Sequence, residues 1–214
     1  MKITRAWVRK YEPCPEFIKW LRRQDTIEAS TLIHRLKEEE EWEWIWWGLS
    51  RLITKESDQV YLVLYCIKLF LNEHKKKFPK DRRLKRIADA LKAWVDDPSE
   101  KNIKIANEVG SVVGEDTTAF NPGYEFILAV SYMAMEIGVQ NIMGEVWDVL
   151  DTLNEVGVRF YRDKVYDYGL KILKESERVI IDEGPGIGWP SWLPNPHSNI
   201  EKKDGKKREI LSES

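Results

Sequence analysis

The stretch TKESDQVYLVLYCIKLFLNEHKKKF, which starts at Thr54, constrains the fold more than any other part of the chain. At about 100° per residue, Val60, Val63, Leu64, Ile67 and Leu71 form one helical stripe, while Leu62, Tyr65 and Leu69 fall on the opposite side. A helix that is apolar on all sides has to be surrounded, so this segment predicts the centre of a helical bundle. Thr54 stands where a hydroxyl can cap the first turn, and Pro79 stops the helix. An aspartate at Leu64 is then expected to unfold the protein, because an unpaired carboxylate has no partner in such a core.

Helical periodicity continues on both sides of this segment. Pro15 after Cys14 suits the first position of a short helix with Phe17, Ile18, Trp20 and Leu21. A second helix begins near Asp25 or Thr26 and carries Ile27, Leu32, Ile33 and Leu36; a third spans about Glu41 to Ile53. Beyond Pro79, Leu84, Ile87, Ala88, Leu91 and Val95 share one face of an amphipathic helix, and Asp97-Pro98-Ser99 breaks the chain before the next. Gly114 to Gly123 reads as a loop, and helical segments resume from Tyr124 and Asn141, with Gly157 a bend or break. The fold class is therefore all-α, a multi-helix bundle with short N-terminal helices and a proline-rich C-terminal arm. Its expected parts are an N-terminal helical segment over 1–53, a main bundle over 54–181 packed with it, and an arm and charged tail over 182–214.

Charged residues make up 33% of the chain and hydrophobic ones 43%, which is globular chemistry rather than that of a disordered segment. The formal net charge of −2 argues against a bulk electrostatic binder of nucleic acid and directs attention to local clusters. Cys14 and Cys66 suit a reduced setting, and no window reaches the roughly 18 apolar residues of a membrane span. A cytoplasmic protein that does not enter the membrane is expected.

No motif for catalysis, cofactor or metal binding stands out, so a non-enzymatic protein without cofactors is expected. His34, His74 and His197 have no metal-ligand spacing; His34 reads as packed or half-exposed, and His74, among lysines, as solvated. Glu136, Glu145, Asp148 and Asp151 would be the acid–base candidates, but such pairs need a cleft, and a solvated helix face is the simpler reading.

Three features point to binding. The run KKKFPKDRRLKR gathers Lys75, Lys76, Lys77, Lys80, Arg82, Arg83, Lys85 and Arg86 around one turn against Asp81, a grip for phosphates or an acidic protein if it is more than a solvated connection. In the third helix, Trp42, Ile45, Trp46, Leu49 and Ile53 share one face, whereas Trp44, Trp47 and Arg51 project the other way and need cover from a second layer or from a partner. In the arm, Trp189 and Trp192 stand among Pro185, Pro190, Pro194 and Pro196. A stiff extended arm loses little entropy on docking, whether to the bundle, to a neighbouring subunit in a homo-oligomer or to a partner. Lys202 to Ser214 has too little apolar surface to dock.

From Glu41 to Asn102 the chain resembles the Imm-5-like immunity proteins of bacteria and phages. The resemblance rests on a tryptophan-bearing helix that ends in Arg-Leu-hydrophobic-Thr, a buried helix, a Phe-Pro turn and a short amphipathic helix ending in Asp-Pro. Trp44, Trp47, Arg51, Leu52, Thr54, Phe78, Pro79, Asp81, Arg82, Ile87, Trp94, Pro98 and Glu100 stand at the matching places. After Asn102, KIANEVGSVVGEDTTAFNPG departs from the alanine-dense helical array usual in that family. The resemblance implies a helical protein with a binding role and does not name what is bound; the leading expectation is an immunity-type or inhibitor protein that masks a toxin or other protein target. Beside that expectation stand a nucleic-acid-associated protein using the basic turn and a phage structural or counter-defence component.

Overall fold

A computed structural model of the chain describes residues 1–118, 123–138, 142–155 and 159–177. They form ten α-helices: α1 (Arg5–Tyr11), α2 (Pro15–Leu21), α3 (Ala29–Glu38), α4 (Trp42–Leu52), α5 (Glu56–Lys77), α6 (Arg83–Asp96), α7 (Glu100–Glu115), α8 (Tyr124–Met135), α9 (Met143–Glu155) and α10 (Arg159–Glu177). Extended pairing among the described residues is limited to an isolated bridge between Lys2 and Glu28. The protein is all-α. No helix among the described residues is long and apolar enough to cross a membrane. The described residues divide into two compact units, one within Met1–Glu40 and the other within Glu41–Arg178, so α4 belongs with α5 rather than with the short helices before it.

In the first unit, α2 starts as its Cys-Pro step predicts: the Cys14 Sγ accepts from the Phe17 amide at 3.4 Å and Pro15 fills the first helical position. Helix α1 was not anticipated. Its signal is Thr4, whose Oγ1 accepts from the Trp7 amide at 3.2 Å. Phe17, Trp20, Leu21, Ile27, Leu32, Ile33 and Leu36 are buried. Among them lies a polar chain: Arg35 donates to the buried Gln24 at 2.9 Å, and Gln24 donates to the Trp20 carbonyl at 3.2 Å. The Trp20 indole donates to Glu39 at 2.7 Å, so the polar end of this large apolar side chain is satisfied.

In the second unit, α5 is central but not covered on all sides. Val60, Leu62, Val63, Cys66, Ile67, Leu69 and Phe70 are buried, whereas Leu64, Tyr65 and Leu71 are half-buried and Tyr61 is exposed. This corrects the expectation for Leu64, which shares a partly open flank of α5 with exposed Tyr61 and Lys68. The helix start also differs. Lys55, not Thr54, is the cap residue, and its side chain makes no capping hydrogen bond. The buried Gln59 performs the complementary task at the end of α4, donating to the Ser50 and Ile53 carbonyls at 3.2 and 2.7 Å.

Helices α7 and α8 approach closely because Gly110 has no side chain: a Cβ there would stand 2.6 Å from the Ser131 carbonyl oxygen. Asn107 beside it donates to the Ala134 and Met135 carbonyls at 3.0 and 2.6 Å, satisfying the end of α8. Helix α7 runs on to Glu115, so Gly114 is helical rather than part of the loop. Gly157 lies outside the described residues.

Candidate binding surfaces

Helix α4 carries the first surface. Ile45, Trp46, Leu49 and Ile53 are buried as their common face requires. Trp42, assigned to that face, is only half-buried: its ring packs 5.5 Å from Trp46 and lies under the Arg162 guanidinium at 5.3 Å. Being in the first turn, it reaches past the core to the edge of α10, where a cation covers it. Trp44 and Trp47 on the other side are half-buried too. The Arg51 guanidinium stands 5.7 Å from the centre of the Trp47 ring and donates to the Met143 carbonyl at 2.6 Å and to Ser50 Oγ at 2.7 Å. Trp47 and Arg51 thus form a fixed pair, one turn apart on α4 and tied to the start of α9.

Carboxylates gather beside this pair. Burial, then the negative charges of Asp148 and Glu136, push the Glu145 carboxyl above its ordinary value. Burial also raises Asp148, with the Arg51 charge opposing the shift. Glu136, Glu145 and Asp148, considered in the sequence as acid–base candidates, are thus within electrostatic reach of one another, and Asp148 of Arg51.

The turn between α5 and α6 carries the second surface, and the fold sorts its cations into two groups. Arg83 is structural: its Nη2 lies 2.6 Å from Asp81 Oδ2, its Nη1 bonds to Thr117 Oγ1 at 3.3 Å, and Thr117 donates in turn to the Val113 carbonyl at 2.7 Å. Lys76 pairs with Glu73 and Lys85 with Asp89. Lys75, Lys77, Lys80, Arg82 and Arg86 are exposed and make no ion pair among the described residues. His74 is the clearest correction in this region. Far from solvated, it is buried between Phe70 and Phe78, with ring centroids 5.4 and 5.0 Å away, and its Nε2 faces Asp81 Oδ2 at 3.6 Å. His34, by contrast, is exposed beside Glu38.

Sequence reasoning passed over two aromatic features. Phe78, at the tip of the basic turn, is 37% exposed even though one side packs on His74. On the open flank of α5, Tyr65 stacks on Tyr168 of α10 at 4.3 Å with Tyr61 nearby. The spacing of Tyr61 and Tyr65 hinted at such a flank, but the third ring comes from a helix distant in sequence. Trp189 and Trp192 lie outside the described residues. No group of histidine, cysteine, aspartate and glutamate side chains among the described residues is arranged to hold a metal ion. No family model, curated protein or solved structure matches the chain.

Proposed function

We propose that this protein is a non-enzymatic binding module of the immunity or inhibitor type, which masks a protein target with the outward side of α4. The observation that carries the reading is the Trp47–Arg51 pair, held by the 2.6 Å bond from Arg51 to the Met143 carbonyl. Tryptophan and arginine dominate the energetics of protein interfaces, and side chains already fixed in place lose little freedom on binding. Half-buried Trp44 extends the same surface, and Glu145 and Asp148 add a carboxylate rim that suits a partner with basic groups. The resemblance over Glu41 to Asn102, which includes Trp44, Trp47 and Arg51, supports the same class of function in a bacterial or phage setting.

Affinity capture from the native host, with Trp47→Ala and Trp44→Ala proteins in parallel, tests the reading. Each substitution is expected to weaken the captured complex by about 2 kcal/mol, roughly thirty-fold in Kd, while the helical signal persists. Folded variants that retain the same partner with unchanged affinity would remove α4 from the interface.

A further inference from the structure

We infer that the turn between α5 and α6 binds single-stranded nucleic acid, with Lys75, Lys77, Lys80, Arg82 and Arg86 taking phosphates and Phe78 stacking on a base. This goes beyond the masking surface of α4 and uses none of its residues. Three observations carry it.

The first is the sorting of charge. Asp81 is engaged by Arg83, Glu73 by Lys76 and Asp89 by Lys85, so the nearby acids are already neutralised and the five remaining cations face solvent together. Arg82 is the cap residue of α6 and Arg86 follows one turn later, while Lys75 and Lys77 enter the turn from the end of α5.

The second is the placement of Arg82 and Arg86 at the start of α6; Lys75 and Lys77, by contrast, stand in the last turn of α5, where the helix dipole favours cations. The first turn of α6 has no acidic residue and begins with Arg83, where the helix dipole disfavours cations. A phosphate near these side chains would remove that repulsion.

The third is Phe78 with its support. Ordinary core packing would bury this ring. Here one side rests on His74 while the ring remains 37% exposed among the cations. The turn beneath is firmly held: the Phe78 amide donates to the His74 carbonyl at 2.8 Å, the Asp81 amide to the Phe78 carbonyl at 3.1 Å, and Arg83 ties the turn to Thr117 at the end of α7. A preformed aromatic platform inside a ring of cations is the arrangement that grips a single strand, since every base offers a face to stack on. A membrane surface fits less well, because Leu84 and Ile87 turn inward and leave Phe78 and Pro79 as the turn's exposed apolar side chains.

The test is fluorescence anisotropy of a labelled thymidine oligonucleotide with the full chain over a salt series. If all five cations engage phosphates, log Kd should change with log salt with a slope of about 3.5, at roughly 0.7 for each phosphate on a single strand. Lys80→Ser, Arg82→Ser and Arg86→Ser together should lower that slope by about 2. Phe78→Ala should weaken binding about tenfold with the slope unchanged, and Phe78→Trp, which keeps the platform, should restore it. Trp47→Ala should bind the oligonucleotide normally, which separates this site from the α4 surface. No binding at the lowest salt would overturn the inference, as would equal affinity for a duplex, indifference to the ring at position 78, or tighter binding to vesicles of anionic phospholipid than to the oligonucleotide.

Discussion

Asp81 and Arg83 form an ion pair of 2.6 Å with both side chains largely shielded, at 14% and 15% exposure, and this pair withdraws Arg83 from the exposed charges of the basic turn. Two residues apart, they also close the start of α6, because Asp81 Oδ1 accepts from the Arg83 amide at 3.0 Å.

The pair makes stability depend on pH with a defined sign. The hydrogen bonds and charge of Arg83 hold the Asp81 carboxyl below its ordinary value of 3.8 against the opposing effect of burial. A lowered folded value means the contribution is fully present above the ordinary value and is lost as pH falls through the folded one. Asp81→Asn should lower stability by about 1–3 kcal/mol at pH 7 and flatten the part of the acid limb that lies below pH 3.8. Urea denaturation of both proteins from pH 7 downward measures both effects.

The two sides of α5 should respond very differently to charge. Val63 is fully buried, so Val63→Asp should cost several kcal/mol and unfold the protein. Half-buried Leu64 lets an aspartate reach water, and Leu64→Asp should remain folded with a modestly lower Tm. Thermal melts followed by circular dichroism distinguish them, and equal Tm values would contradict the placement of this helix.

Two glycines should behave in opposite ways. At Gly110 a methyl group would stand 2.6 Å from the Ser131 carbonyl oxygen, backbone that can move only if α7 and α8 separate, so Gly110→Ala should destabilise by about 1–3 kcal/mol. At Gly144, in the first turn of α9, a Cβ would meet nothing within 4 Å. Gly144→Ala should stabilise by about 0.5–1 kcal/mol through the unfolded chain's lost freedom. Chemical denaturation of the two variants measures both signs.

Among the carboxylates of α8 and α9, Glu145 is raised by burial and by the charges of Asp148 and Glu136. A raised folded value means that the ionised group opposes folding at neutral pH and that this opposition disappears as pH falls below the ordinary value of 4.5. Glu145→Gln should therefore raise the Tm at pH 7 by about 1 °C, a small shift because solvent screens the charges, and the gain should vanish near pH 4. If these carboxylates form the rim of the α4 interface, the same substitution should also slow association with the captured partner.

Local chemistry could be read from the chain alone. The helical periods, the Cys14-Pro15 start and the stop at Pro79 depend on residues a few positions apart, and the corresponding helices are present. Buried Ile45, Trp46 and Leu49 followed from one face of one helix. The state of the individual side chains at the candidate sites did not. His74 looks solvated among its lysines, yet Phe70, Phe78 and Asp81 enclose it. Arg83 is indistinguishable from its neighbours in the basic run until Asp81 and the distant Thr117 claim it. Trp42 carries the right period for the core but sits at its edge under Arg162. Period tells which side of a helix is apolar, because it depends only on the turn angle between neighbouring residues. How deeply that side is covered, and which charges find partners there, depends on helices brought alongside by packing, and that relation exists only in the folded chain.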